Sequence, residues 1–211
     1  MPTESHTAVK EVAAFVERID EVYGLYLDAT VGFKANAQQV RGAQEQSRNV
    51  VEPGTDLDSL PMFVGRGDPT DPASVLLHMT TQGQFKRRND DDGDNHVRLA
   101  HWVVVLLFEY WETEHRASIA DALGIATGDL RVPIFGDLRR LRHVVIHHNG
   151  VVDDKCAHKM EVISGLKARE RLVLSASDVE SLVRSVKAAL DGLVQERVGL
   201  DPAHRIVRRL V

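Results

Sequence analysis

The run Trp102-Val-Val-Val-Leu-Leu-Phe108 is the longest uninterrupted apolar stretch in this 211-residue chain. It is far too short to cross a membrane, which takes about 20 residues. A segment apolar all round has its stable place in the middle of a helical core. The spacing around it predicts a central helix from about Asn95 to Leu123, with Gly124 as a left-handed stop. The chain is 43% hydrophobic and 27% charged, long enough to fold around its own core without disulfides or a structural metal. The single cysteine, Cys156, excludes an internal disulfide and a cysteine-rich zinc site. It fits a reducing, cytoplasmic setting. Met-Pro-Thr-Glu-Ser-His at the N-terminus carries no signal-peptide pattern.

Apolar residues elsewhere recur mainly with helical spacing. Val9, Val12, Ala13, Val16, Ile19 and Tyr23 mark one face of one long helix, or two consecutive ones, between about Thr3 and Ser47, with Gly24 and Gly32 as points of bending or breakage. Four prolines and three glycines between Val51 and Pro72 predict an irregular loop. Asp71-Pro72 reads as the start of a helix through Val75, Leu76, Met79 and Phe85. Asn89-Asp-Asp-Asp-Gly-Asp-Asn95 lacks the glutamate that a calcium loop needs, so it is expected to be a solvated helix cap. Pro133 opens a helix to about His148, stopped by Asn149-Gly150. Met160–Ile163 and Arg171–Leu174 predict a small β-hairpin. Ser177-Asp-Val-Glu180 predicts the start of a helix, and Asp201-Pro202 a last short one. The expected plan is mainly α, an N-terminal helical segment over 1–90 packing on a helical domain over 91–211.

The net charge of −5 argues against a sequence-blind nucleic-acid binder. The charge is uneven, −8 over residues 1–120 and +3 over residues 121–211. A local basic surface in the second half is compatible with a nuclease that meets its RNA at one small site.

Chemistry concentrates in Asp137-Leu-Arg-Arg-Leu-Arg-His-Val-Val-Ile-His-His-Asn-Gly150. Leu138, Leu141, Val144 and Val145 form the buried stripe and leave the cationic side chains to the remaining surface. RNA cleavage by its own 2′-hydroxyl needs a base, an acid and a cation on the crowded phosphorane. Histidine can serve as base or acid, and arginine offers a fork of donors matched to phosphate oxygens. Arg142 and His147 differ by about 140° on an ideal helix. A shared site therefore needs fraying near His147 or a second copy of the helix. His143 and His147 have the four-residue spacing of helical metal ligands, but no carboxylate or cysteine joins them in a known zinc pattern.

Leu141-Arg142-His143-Val144-Val145-Ile146-His147-His148-Asn149-Gly150 resembles the Arg-x(4–6)-His motif of HEPN domains. Tyr110-Trp111-Glu112-x-x-x-Arg116 resembles the Trp-Glu signature on the preceding helix of several such families, including the RiboL-PSP-HEPN and Apea-like groups. Phe135-Gly136-Asp137-Leu138-Arg139 resembles the run leading into the motif helix. The resemblance covers roughly residues 95–195. It implies a HEPN-like helical bundle that dimerises around the motif helices, so that Arg142 and His147 of both chains line one cleft. It also implies metal-independent RNA cleavage to a 2′,3′-cyclic phosphate, no cofactor, and a role in toxin–antitoxin or antiviral defence, with an antitoxin or defence partner.

Arg142 and His147 are the expected catalytic pair, with His143, His148, Asn149, Glu112 and Asp137 as supporting or alternative residues and no metal ligand. His148 also satisfies the motif spacing. Two rival readings carry no catalysis. One is an inactive HEPN-like module that binds RNA, a nucleotide or a protein; the other is a purely structural helical protein, in which Arg142 pairs with Glu112 or Glu109. His96, His101, His115 and His158 are expected on the surface or at caps, Trp102 and Trp111 in the core or an interface. Arg205, Arg208 and Arg209 are expected on a solvated helix face.

Overall fold

The computed structural model describes residues 2–68, 71 and 73–199. The expected helix after Asp201-Pro202, with Arg205, Arg208 and Arg209, lies outside them. Among the described residues the fold is mainly α, with a single small antiparallel sheet. Among these residues no helix is long and apolar enough to cross a membrane. The described residues divide into two compact units, one made of those within 2–26 and 99–199, the other of those within 27–98. Residues 2–26 thus belong to the same unit as the predicted motif helix.

Helix α1 runs unbroken over Pro2–Ser47. Gly24 and Gly32 do not end it, because a helix interior accepts glycine at a cost of only about 1 kcal/mol each. In the larger unit, Val12, Val16 and Ile19 of α1 join the core as the spacing predicts, Val9 and Tyr23 pack partly buried against it, and Phe15, Val22 and Tyr26 join it beyond the predicted set. Helix α3 (Asp94–Tyr110) contributes Val103, Val104 and Leu107. Trp102 is instead 57% exposed. The central helix then changes pitch. Trp111–His115 is a π segment, and α4 (Arg116–Ala122) follows it. The segment places Trp111 face to face with Phe135, ring centroids 4.0 Å apart, and stacks His115 on Phe15 at 4.6 Å. Gly124, at φ 67°, ends the run as expected.

Helix α5 (Pro133–His147) begins with proline in its first turn and buries Ile134, Phe135, Leu138, Leu141 and Val144. Asn149 and Gly150 both have positive φ. Gly150 is needed there twice over. Its φ is 77°, and a Cβ at this position would lie 3.0 Å from His101 Cε1. His101 is buried, its Nε2 2.8 Å from the Leu172 carbonyl, and His96 is buried as well. His115 is half-buried with Nε2 unpartnered. Of the four histidines expected at the surface, only His158 is exposed.

A short helix, α6 (Asp154–Lys159), was not visible in the sequence pattern. Helix α7 (Ala176–Val198) starts two residues earlier than expected, with Ser175 as N-cap and Asp178 completing the capping box. It buries Val179, Val183, Val186 and Leu190. Lys187, 3% exposed, is neutralised by an ion pair with Asp20 of α1.

The hairpin expected after α5 does not form. Val151↔Arg171 is only an isolated bridge. The reason is Asp137, which is fully buried and accepts the N–H groups of Glu161, Val162 and Ile163 at 2.7–3.1 Å. A carboxylate thus takes the donors that a strand partner would have taken.

The sheet lies in the smaller unit. Strand β1 (Pro61–Arg66) occupies part of the expected irregular loop, and β2 (Val75–Thr81) replaces the first turns of the expected helix. Asp71 closes a turn onto the N–H of Ala73 instead of capping that helix. Helix α2 (Gln82–Asn89) begins only after Thr81, whose hydroxyl and the Gln84 side chain form a capping box. The acidic loop that follows is tied down by ion pairs, Asp90 to Arg41 and Asp91 to Lys34, and by Asn95 donating to Asn89.

Candidate functional site

Helix α5 presents a buried stripe on one side and cations on another. Leu138, Leu141 and Val144 anchor it, so Arg139, Arg140, Arg142 and His143 are left to line a cavity of about 640 Å³. Phe108 of α3 and Gly136 form apolar parts of its wall, and α6 closes it with Lys155, Cys156 and Lys159. Three arginines and two lysines on one concavity make a local positive field on an acidic chain.

Two of the arginines are held by acids. Arg142 Nε donates to Glu109 Oε1 at 2.7 Å, both side chains about one-third exposed. Of the two acids within reach on the preceding helix, Glu109 and not Glu112 takes the arginine. Screening by solvent limits the pair's worth to about 1 kcal/mol or less, but it fixes where the guanidinium points. Arg140 Nη1 donates to Asp137 Oδ1 at 3.0 Å and approaches Glu161 at 3.7 Å. Asp137 is therefore an anchor beneath the cavity, with its lone pairs committed to Arg140 and to three backbone donors. Glu112 pairs with Arg116 at 3.0 Å and lines a neighbouring cavity of about 390 Å³, together with Arg131 and Arg139.

The three histidines of the motif form one exposed cluster at the end of α5. The His143 ring lies 4.7 Å from that of His147 and 5.0 Å from that of His148. His143 Nε2 and His148 Nε2 are 3.2 Å apart, and His148 Nε2 is 3.5 Å from Asp153 Oδ2. His148 is the C-cap, its N–H bonded to the Val144 carbonyl. Asn149 is exposed in the left-handed turn beyond it.

The arrangement joins Arg142 and His143 at one cavity. His147 is not among the residues lining that cavity; it touches the site through its contact with His143. This follows from the helix itself, since Arg142 and His147 are separated by about 140° of rotation and α5 stays helical to His147. Asp153, Lys155 and Lys159 were missed from sequence. Lys155 and Lys159 are four apart on α6, and Asp153 caps that helix by accepting the Cys156 N–H at 2.6 Å. The signal that could have found them is Asp-Asp-Lys-Cys, an N-cap pattern three residues after the Asn-Gly stop. Burial pushes the Cys156 thiol up to about 11, so it sits in the wall as a neutral group. Compared with protein-family models, with curated proteins and with solved structures, the chain matches none.

Proposed function

We propose that this chain is a HEPN-like, metal-independent endoribonuclease. The observation that carries the reading is the cavity beside α5, where Arg142 stands among four further cations with a histidine cluster at its rim. Phosphodiester oxygens fit that field. Arg142 stabilises the phosphorane with its planar fork, and Glu109 orients it. His147 serves as the base or acid on the reacting oxygens, in the register of the family motif. Because Arg142 and His147 point apart on one helix, the cleft is completed by a second copy of the chain around a two-fold axis. Attack by the 2′-hydroxyl leaves a 2′,3′-cyclic phosphate. A toxin or defence role in the cytoplasm, restrained by an antitoxin or acting with a defence partner, is the biological setting proposed with it.

The test is cleavage of single-stranded and structured RNA with EDTA present throughout. Wild type is expected to cut and to leave cyclic phosphate ends. Arg142→Lys keeps the charge but loses the fork, and is expected to cut slower by about 10²–10³. His147→Ala is expected to be nearly inactive and His148→Ala mainly to bind RNA more weakly. Wild type that cuts nothing, or only with added metal, overturns the reading. One observation favours the purely structural reading instead: Arg142 already has an acid partner, Glu109. Neither RNA binding nor cleavage is the result that reading predicts, whereas binding without cleavage is the mark of the inactive RNA-binding module.

A further inference from the structure

We propose that His143, His148 and Asp153 form a binding site for a transition-metal dication, Zn²⁺ being the probe of choice. The four-apart pair His143–His147 is the one that helical spacing suggests, yet the fold brings a different trio together. One ligand atom from each of His143, His148 and Asp153 lies within 4.8 Å of the other two. The two Nε2 atoms are 3.2 Å apart, and His148 Nε2 is 3.5 Å from Asp153 Oδ2. A tetrahedral zinc ion with bonds of about 2.0–2.2 Å holds its ligand atoms roughly 3.3–3.6 Å from one another. Both observed separations match that edge within a few tenths of an ångström.

The chemistry agrees with the distances. Two imidazole nitrogens facing each other share at most one hydrogen, and a dication satisfies both lone pairs at once. Imidazole with carboxylate is a donor set for zinc rather than for calcium or magnesium. The groups are also pre-positioned. His143 rides α5 just before its last turn, and His148 is pinned by its backbone bond to Val144. Asp153 spends one oxygen on the Cys156 N–H, which leaves Oδ2 turned to His148; a ligating carboxylate held by a hydrogen bond is the usual supporting arrangement. His143 and Asp153 also line the cationic cavity. A fourth position open toward it accepts water or an anion. The cavity's cations oppose a metal ion, so the affinity is expected to be that of an exchangeable site.

The inference stands apart from the ribonuclease reading, since the ion is given no role in cleavage. The experiment is competition for Zn²⁺ between a chromogenic chelator and the full chain without an affinity tag. Wild type is expected to hold one equivalent. His148→Ala and Asp153→Asn are each expected to lose at least about tenfold in affinity, whereas His147→Ala keeps it. Asparagine preserves the α6 cap, so the Asp153 variant stays folded, which far-UV circular dichroism checks. Wild type that takes no zinc overturns the proposal. So does wild-type affinity in His148→Ala or Asp153→Asn, or a loss confined to His147→Ala, which would assign the ion to the His143–His147 pair.

Discussion

At the scale of single residues, Asp137 and Arg142 show how one motif mixes support with chemistry. Asp137 has no exposed surface and gathers three backbone N–H groups and Arg140. Asp137→Ala would leave those three N–H groups without their acceptor and Arg140 with only its longer contact to Glu161. The expected cost is about 2 kcal/mol or more, read as a lower midpoint in urea. Glu112→Gln, at an exposed pair, is expected to change stability by less than about 1 kcal/mol. Equal midpoints for the two variants would remove Asp137 from its structural role. The residue types of the site were legible in the sequence, because arginines and histidines clustered on one stretch bear the same chemistry in any fold. Their division of labour was not. That Asp137 anchors residues 161–163, and that Asp153 joins His148, depends on contacts across gaps the local pattern does not span.

At the scale of elements, the π segment Trp111–His115 makes a pH-dependent contribution. Burial holds His115 below its ordinary value of 6.5, with Arg18 adding to the effect and Glu114 opposing it. Its buried Nε2 has no partner, which also favours the neutral ring. A histidine whose folded value is depressed stabilises the fold fully above the unfolded value. That stability is lost as the pH falls from 6.5 through the folded value. Wild type is therefore expected to lose more stability between pH 7.5 and pH 5 than His115→Phe, which keeps the ring on Phe15 but cannot titrate. Parallel urea midpoints for both proteins over that range would contradict this. Helices with strong apolar periodicity, α1, α3, α5 and α7, were legible because each carries its own core face. Strand β2 was not. Leu76 and Met79 stand at helical spacing, but in the fold both are exposed and paired antiparallel with β1. The partner strand, not the local period, decides that segment, and the capping box Thr81–Gln84 was the overlooked sign of where the helix begins.

At the scale of the whole molecule, an acidic chain proposed to act on RNA must concentrate its cations, and five of them do line the cavity beside α5. The same helix keeps Arg142 and His147 apart by about 140°, so the proposed cleft draws its arginine from one protomer and its histidine from the other. This has a consequence that no single-chain site shares. Arg142→Ala and His147→Ala chains are each expected to be nearly inactive alone. Mixed in equal amounts and allowed to exchange, half of the dimers carry one chain of each kind. In such a dimer the intact Arg142 of one chain faces the intact His147 of the other, while the second pair is doubly broken. Activity is then expected to return to about a quarter of wild type, one pair of two in half of the dimers. The measurement is RNA cleavage by the mixture against each variant alone, with light scattering to establish that dimers are present. A mixture as inactive as its components, in solutions shown to contain exchanged dimers, would place Arg142 and His147 in separate sites and remove the shared cleft.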